Sequence, residues 1–357
     1  EALLLAACPG VIGEPRVIDD DGCTDPIWGH HSDMRYAWAG DADIRFRAAT
    51  GGVLTALGVY LLKSGRVDFI LHVGADPERP MRNRWVISET VESVIQNAGS
   101  RYSPAAPLAG LEIALKRNQP FALIGKPCDL GAVHRLATQD PRVNRLCKYR
   151  LTMVCGGQSR LKKSSDLIET WGLSEEEISL FRYRGYGNPG RTRIETRDGK
   201  AFELTYTELW EDEGKWEIES RCKLCPDALG EAADVAAADV WPGGGPSGED
   251  AGFNGIIIRS KIGGELVAAA AEAGELILGE EISSQEFNQF QPHQVRKKEA
   301  LAARYAGLLA CEMPVIATPG LRLEALGGRL SKEKWEQEKA GTVRRARSGR
   351  FSEKRDE

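Results

Sequence analysis

The sequence predicts an α/β fold: a mixed sheet flanked by helices, with a β-rich C-terminal part and an irregular N-terminal lead-in. Three observations carry this prediction. Apolar strands alternate with amphipathic helices through the first half of the chain. Two of the strands, "PFALIGKP" and "YRLTMVCGGQS", run directly into turns that present a cysteine beside Gly or Pro. From Phe181 onward the chain turns arginine-, aromatic- and glycine-rich, with a hairpin signal at Asp198-Gly199.

The elements follow in order. The first forty residues are rich in Pro, Gly, Asp and Trp, lack periodicity and read as the lead-in. "GGVLTALGVYLLKSG", Gly51 to Gly65, places Val53, Leu54, Leu57, Tyr60 and Leu61 on one helical face, and Gly65 stops it. "VDFILHVG" reads as a buried strand. "SETVESVIQNAG" reads as a helix capped by Ser88, and "PLAGLEIALKRN" as another. After the two Cys-bearing strand ends and the hairpin come a Gly/Pro loop, the strand "NGIIIRS" and the helix "GELVAAAAEAGEL". "QPHQVRKKEALAARYAGL" forms a last helix with Pro292 near its start. The final 27 residues hold nine Lys/Arg and six Asp/Glu, as a solvated tail or a basic arm would. The chain divides at 1–35, 36–110, 111–325 and 326–357.

Composition narrows the function. At 357 residues the chain can build a large core, and 42% hydrophobic with 28% charged residues is globular. A net charge of −5 argues against a general nucleic-acid surface. No apolar run approaches the roughly 18–20 residues of a membrane span. "EALLLAACPG" is too short and unflanked by basic residues for a signal peptide, and the absent initiator Met points to residues upstream. Eight scattered cysteines without a secretory signal argue for reduced thiols and a cytoplasmic location.

Cys222 and Cys225 form a CxxC, which by spacing alone is a metal corner, a redox dithiol or a pair of buried thiols. No second CxxC or HxxxH accompanies it, so a zinc finger is disfavoured. Cys128 and Cys155, at strand ends, are the candidates to complete four thiolates. The Gly51-Gly52 pair at a helix start suits either an anion or a plain helix cap. "NAGSRYSP" adds Ser100, Arg101 and Tyr102 in a turn. His30-His31 is a proton-donor candidate or an exposed loop pair. Trp28, Trp38, Trp241 and Phe253 suit an aromatic site or the core. No Ser/His/Asp order or acidic pair supports a hydrolase.

The ordered series "ATGGVLTALGVYLLKSGRVDFIL", "AGSRYSPAAPLAGLEIAL", "FALIGKPCDLGAVHRL", "LTMVCGGQS" and "RCKLCPDALGEAADVAAADVW" resembles the beta-subunit family of coenzyme F-420 hydrogenases and dehydrogenases. "FRYRGYGNPGRTRIETRDG" and "QPHQVRKKEALAARYAGL" look most like the branch with 7-hydroxymethyl chlorophyll a reductase and ferredoxin-dependent divinyl chlorophyllide reductase. The resemblance covers about residues 36–325. It implies an iron–sulfur flavoprotein reductase with FAD and a 4Fe-4S cluster, taking electrons from ferredoxin and reducing a small organic substrate. Its alternatives are a deazaflavin (coenzyme F-420)-linked dehydrogenase subunit and a non-catalytic electron-transfer subunit; a homo-oligomer stays open. By position it implies FAD contacts at Thr50, Gly51, Gly52, Val53, Ser100, Arg101, Tyr102 and Lys126, in an FAD-binding part over 36–110 and an FAD/iron–sulfur part over 111–325. It implies cluster ligands at Cys128, Cys155, Cys222 and Cys225. Relatives often carry an N-terminal CxxCxxC segment where this chain has only Cys8-Pro9, so a second cluster depends on residues outside it. Asn188 stands where some relatives carry cysteine.

Overall fold

A computed structural model describes residues 2–17, 22–211, 216–246 and 248–352. Its centre is one eight-stranded sheet, here numbered in chain order: β1 Asp33–Ala39, β2 Phe69–Ala75, β3 Asn83–Ser88, β4 Phe121–Gly125, β5 Cys147–Met153, β6 Val235–Asp239, β7 Asn254–Ile258 and β8 Leu276–Glu281. The spatial order is β8-β1-β7-β6-β5-β4-β2-β3. The four inner strands β6, β5, β4 and β2 are parallel, while β7, β8 and β3 join antiparallel. β6 and β7 are buried almost throughout, as continuous apolar runs must be when helices cover both sheet faces.

The covering helices include α1 Val53–Lys63, α2 Pro127–Leu136, α3 Lys261–Glu272 and α4 Pro292–Leu309. α1 and α3 bury Leu57, Leu61, Leu266 and Val267 against one face, with Ile70, Leu151 and Ile256 from the sheet. On the other face Leu130 and Val133 of α2 pack with Phe69, Phe121 and Leu123. A second core holds Trp28, Phe287 and Phe290 against Ile257, so Trp28, fully buried, is a packing residue. The β-rich part is a separate three-stranded antiparallel sheet of Ile178–Arg182, Thr192–Thr196 and Ala201–Leu204, folded about the hairpin read at Asp198-Gly199. Its core gathers Phe181, Tyr183, Leu209 and Trp216.

Three local expectations change. The lead-in contains a hairpin, Cys23–Asp25 with Gly29–His31, and then β1, which sits between β7 and β8 inside the sheet. Its mixed polar composition hid it, but every second or third side chain of β1 is buried. Ser88 is not a helix cap: it ends β3, its hydroxyl 2.7 Å from His72 Nε2. Thr90 caps the following helix by accepting from the Ser93 N–H. The charged tail folds as α5, Lys332–Arg347, against α4; residues 353–357 of the tail lie outside the described residues. The segments divided at residue 110 interleave in the same sheet, because β1 pairs with strands from beyond residue 250.

Candidate functional site

The carboxyl ends of β4, β5 and β6 lie side by side, the position where open α/β sheets present ligand-binding groups. β4 ends at Gly125 and passes through Lys126 into α2, whose first turn carries Cys128. Pro127 fits the first helical position, where no N–H is needed. β5 ends at Met153 and leads to Cys155, whose N–H donates to Ala228 O at 2.8 Å. The CxxC arrives from a third segment on the short helix Ser220–Lys223.

Gly157 makes that arrival feasible. It has φ +131°, and a Cβ there would lie 2.7 Å from Ile218 Cγ2 and 3.3 Å from Cys222 Cβ. Next to it the Gln158 N–H donates to Cys222 Sγ at 3.3 Å. Beyond the CxxC, Asp227 accepts from the N–H groups of Leu229, Gly230 and Glu231 at 2.8–3.0 Å, which fixes the exit turn. Tyr305 of α4 donates to Leu224 O at 2.9 Å and holds the loop from the other side.

All eight cysteines are free. Cys128, Cys155, Cys222 and Cys225 lie close enough to influence one another: Cys128 feels Cys225 and Cys155, and Cys155 feels Cys222. Burial raises the thiol pKa values of Cys128 and Cys155 and pushes that of Cys225 up to about 12. Two cations oppose the rise. Lys126 acts on Cys128 and Cys155, and Lys297 of α4 on Cys155 and Cys225. Among the described residues no three His, Cys, Asp or Glu side chains converge on a single ion position. Four thiolates around zinc would sit about 3.8 Å apart, given Zn–S bonds of about 2.3 Å. Four thiols within each other's fields could be shared by one polynuclear cluster.

Lys126 was expected to face a flavin. Its Nζ donates to Asp129 Oδ2 at 2.8 Å and Ala105 O at 2.9 Å, within the field of the thiols. Thr50, Gly51, Gly52 and Val53 are buried. A Cβ on Gly51 would meet the backbone of Phe253 and Asn254 at 2.7 Å, so close packing demands this glycine. The Val53 N–H is directed at Asn254 Oδ1, 3.4 Å away. Arg101 is saturated by protein: it donates to Asn83 Oδ1, Phe181 O and Pro80 O at 2.6–2.7 Å, tying the small sheet to the large one. Ser100 lies beside it, half-buried.

Tyr102 and Thr50 do meet, through a residue that the sequence reading passed over. Buried Arg184 donates to Asp239 Oδ2 at 2.8 Å, Ala49 O at 2.7 Å, Tyr102 Oη at 3.2 Å and Thr50 Oγ1 at 3.3 Å. Thr50 Oγ1 also donates to Asp239 Oδ1. The guanidinium lies 4.8 Å from the Trp241 ring centroid and 5.3 Å from that of Tyr206. The one signal available was Asp239, a polar residue closing the apolar run "DVAAADV". Gln291, the N-cap of α4, donates to Asp239 O and Gln294, inside α4, to Cys155 O, both at 2.8 Å, so the start of one helix spans this node and the thiols. Trp241 Nε1 and Gln294 Oε1 are buried without a protein partner, a donor and an acceptor left over at this edge. Among the described residues no helix is long and apolar enough to cross a membrane.

Two family models match the chain: the N-terminal part of the coenzyme F420 hydrogenase/dehydrogenase beta subunit over residues 34–112, and its C-terminal part over residues 119–284. A coenzyme F420-dependent sulfite reductase of Methanocaldococcus jannaschii is 26% identical, covering 65% of this chain and 36% of that protein. An F420-dependent formate dehydrogenase 1 subunit beta of Methanococcus maripaludis is 28% identical over 68% of this chain and 60% of its own length. The chain therefore spans between about a third and three fifths of these two relatives. A solved chain of the F420-reducing NiFe hydrogenase complex from Methanosarcina barkeri shares the fold, with a TM-score of 0.63 at 19% identity, over 82% of this chain and 98% of that one. These findings correct the expectation of FAD: the family models and relatives name coenzyme F420. With both halves of the family model matched in order, the chain belongs to the coenzyme F420 hydrogenase/dehydrogenase beta-subunit family.

Proposed function

We propose that this chain is an F420-linked, iron–sulfur electron-transfer subunit of an oxidoreductase. The observation that carries the reading is the gathering of four free thiols from three segments at one sheet edge, with Lys126 and Lys297 beside them. Cys128, Cys155, Cys222 and Cys225 would hold a 4Fe-4S cluster, which would carry electrons singly; coenzyme F420 would exchange a hydride, so a two-electron redox group standing between them would take the hydride and release its electrons one at a time to the cluster. The two lysines offset the negative charge of the thiolates. The Gln158 N–H directed at Cys222 tunes the sulfur by hydrogen bonding.

For the deazaflavin we assign the edge next to the thiols. Trp241 Nε1 and Gln294 Oε1 have the donor and acceptor chemistry that a ring bearing carbonyl and N–H groups requires. Thr50 and Tyr102 join this edge through Arg184, while Gly51 and Val53 pack on Asn254 behind Thr50. The names of the relatives favour this reading over a reductase fed by ferredoxin. Partner subunits would hold the substrate-specific centre, and reduced thiols suit the cytoplasm.

Anaerobic purification with iron and sulfide assays tests the cluster, with about four iron atoms expected per chain. Stopped-flow mixing of the full native assembly, with its two-electron redox group in place, with reduced F420 and separately with reduced ferredoxin tests the donor; the deazaflavin should change the cluster spectrum faster. An iron-free protein that cannot be reconstituted, or a spectrum that only ferredoxin changes, would overturn the proposal.

A further inference from the structure

At the opposite edge of the sheet, near the starts of β5 and β6, lies a cleft of about 450 Å³. Among the described residues no carboxylate lines it; its polar lining comes from Arg16, His134, Thr138, Asn144 and Arg150. The charges around it can be paired off. Arg16 Nη1 donates to Asp234 Oδ1 at 2.6 Å. Asp234 is occupied further by Ser260 Oγ at 2.6 Å and the Arg150 N–H at 2.8 Å. Arg135, the neighbour of His134 in α2, pairs with Glu14 at 2.7 Å.

Arg150 is left over. It is only 5% exposed, its Nη2 donates to the neutral Asn144 Oδ1 at 2.9 Å, and among the described residues no carboxylate forms an ion pair with its guanidinium. A guanidinium does not shed its proton, so burial leaves a full charge with little water to solvate it. Arginine's planar fork matches the paired oxygens of phosphate and carboxylate groups. The volume is in the range of small-molecule sites.

We propose that this cleft is an oxyanion site for a small molecule bearing phosphate or carboxylate groups, with Arg150 as its buried fork and Arg16 beside it. The site is separate from the thiols. Cys128 opens α2 and His134 lies toward its far end, about 9 Å further along the axis at about 1.5 Å per residue.

Calorimetric titration of the full chain at fixed ionic strength tests the proposal, with pyrophosphate in one arm and citrate in the other. Saturable binding of at least one is expected, and the arm that binds separates phosphate from carboxylate chemistry. Thr138→Glu, on the exposed rim, places a carboxylate against the anion and should weaken binding about tenfold, without moving the thermal midpoint. Arg150→Gln should abolish binding; the Thr138 arm stays readable if that variant fails to fold. No saturable binding of either anion, or affinity unchanged by Thr138→Glu, would overturn the proposal.

Discussion

Cys225 and Gly157 make separate demands on the site, one chemical and one steric. Cys225→Ser removes one of the four proposed thiolate ligands while keeping nearly the same volume. Its Asp227 O acceptor, at 3.1 Å from the thiol, stays available to the serine hydroxyl. Iron per chain should fall while the unfolding midpoint of the iron-free protein stays near that of the parent; unchanged iron would take Cys225 off the ligand set. Gly157→Ala tests geometry instead. Its φ of +131° is costly for any L side chain, and the new Cβ would press on Ile218 and on Cys222 itself. A loss of about 1–3 kcal/mol in denaturant unfolding is expected, with weaker iron retention. A variant with unchanged stability and iron would show that the CxxC loop does not need this close approach.

At the scale of elements, α4 links the two parts of the candidate site, with Gln291 at its N-cap and Gln294, Lys297 and Tyr305 along it, and α5 holds it in place. The two helices touch at Gly307, where a Cβ would lie 2.7 Å from Lys339 O and 2.9 Å from Thr342 Cβ. Gly307→Val should wedge them apart, at about 1–3 kcal/mol of stability measured by thermal unfolding. A midpoint equal to the parent's would mean that α5 packs more loosely than this distance implies. The α5 contact was not legible in the sequence, because charge density hid a helix whose Gly341 and Thr342 are buried. The helices and strands around Cys128 and Cys155 were legible, since strong apolar periodicity ends there in Gly, Pro and Cys. Strand β1 was not, because its mixed residues gain burial only from partners beyond residue 250. The Arg184 node was hidden for the same reason: Thr50 and Asp239 lie 134 and 55 residues from it in the chain. No local pattern records such meetings, whereas the ordered cysteine turns survive in the sequence as recognisable strings.

For the whole molecule, the sheet places the thiols at one edge and the Arg150 cleft at the other, and their shared support is a core that buries titratable groups. Buried charge is concentrated in Glu231, which bonds both Lys298 and Arg322 and stays ionised below the usual carboxylate range despite burial. It stabilises the fold above that range, and this contribution is lost only in stronger acid. The earlier acid response comes from His72 of β2. Burial lowers its pKa to about 4, and its ring bonds Ser88 Oγ rather than a carboxylate. In the unfolded chain a histidine titrates near 6.5, so the unfolded state takes up the proton first. Stability from this residue is therefore complete above about pH 6.5 and drains away as the pH falls toward about 4. Between about pH 7 and about pH 5 the loss should be about 2 kcal/mol. His293 of α4, lowered to about 4 by burial, and His134, also lowered by burial, add to the same slope. The contribution of His72 is isolated by comparing the parent with His72→Gln, whose amide can still bond Ser88. Urea unfolding across this range should show the variant losing about 2 kcal/mol less than the parent, whatever its absolute stability. Parallel pH profiles for the two proteins would mean that His72 does not control the acid limb, and would move that role to His293 and His134.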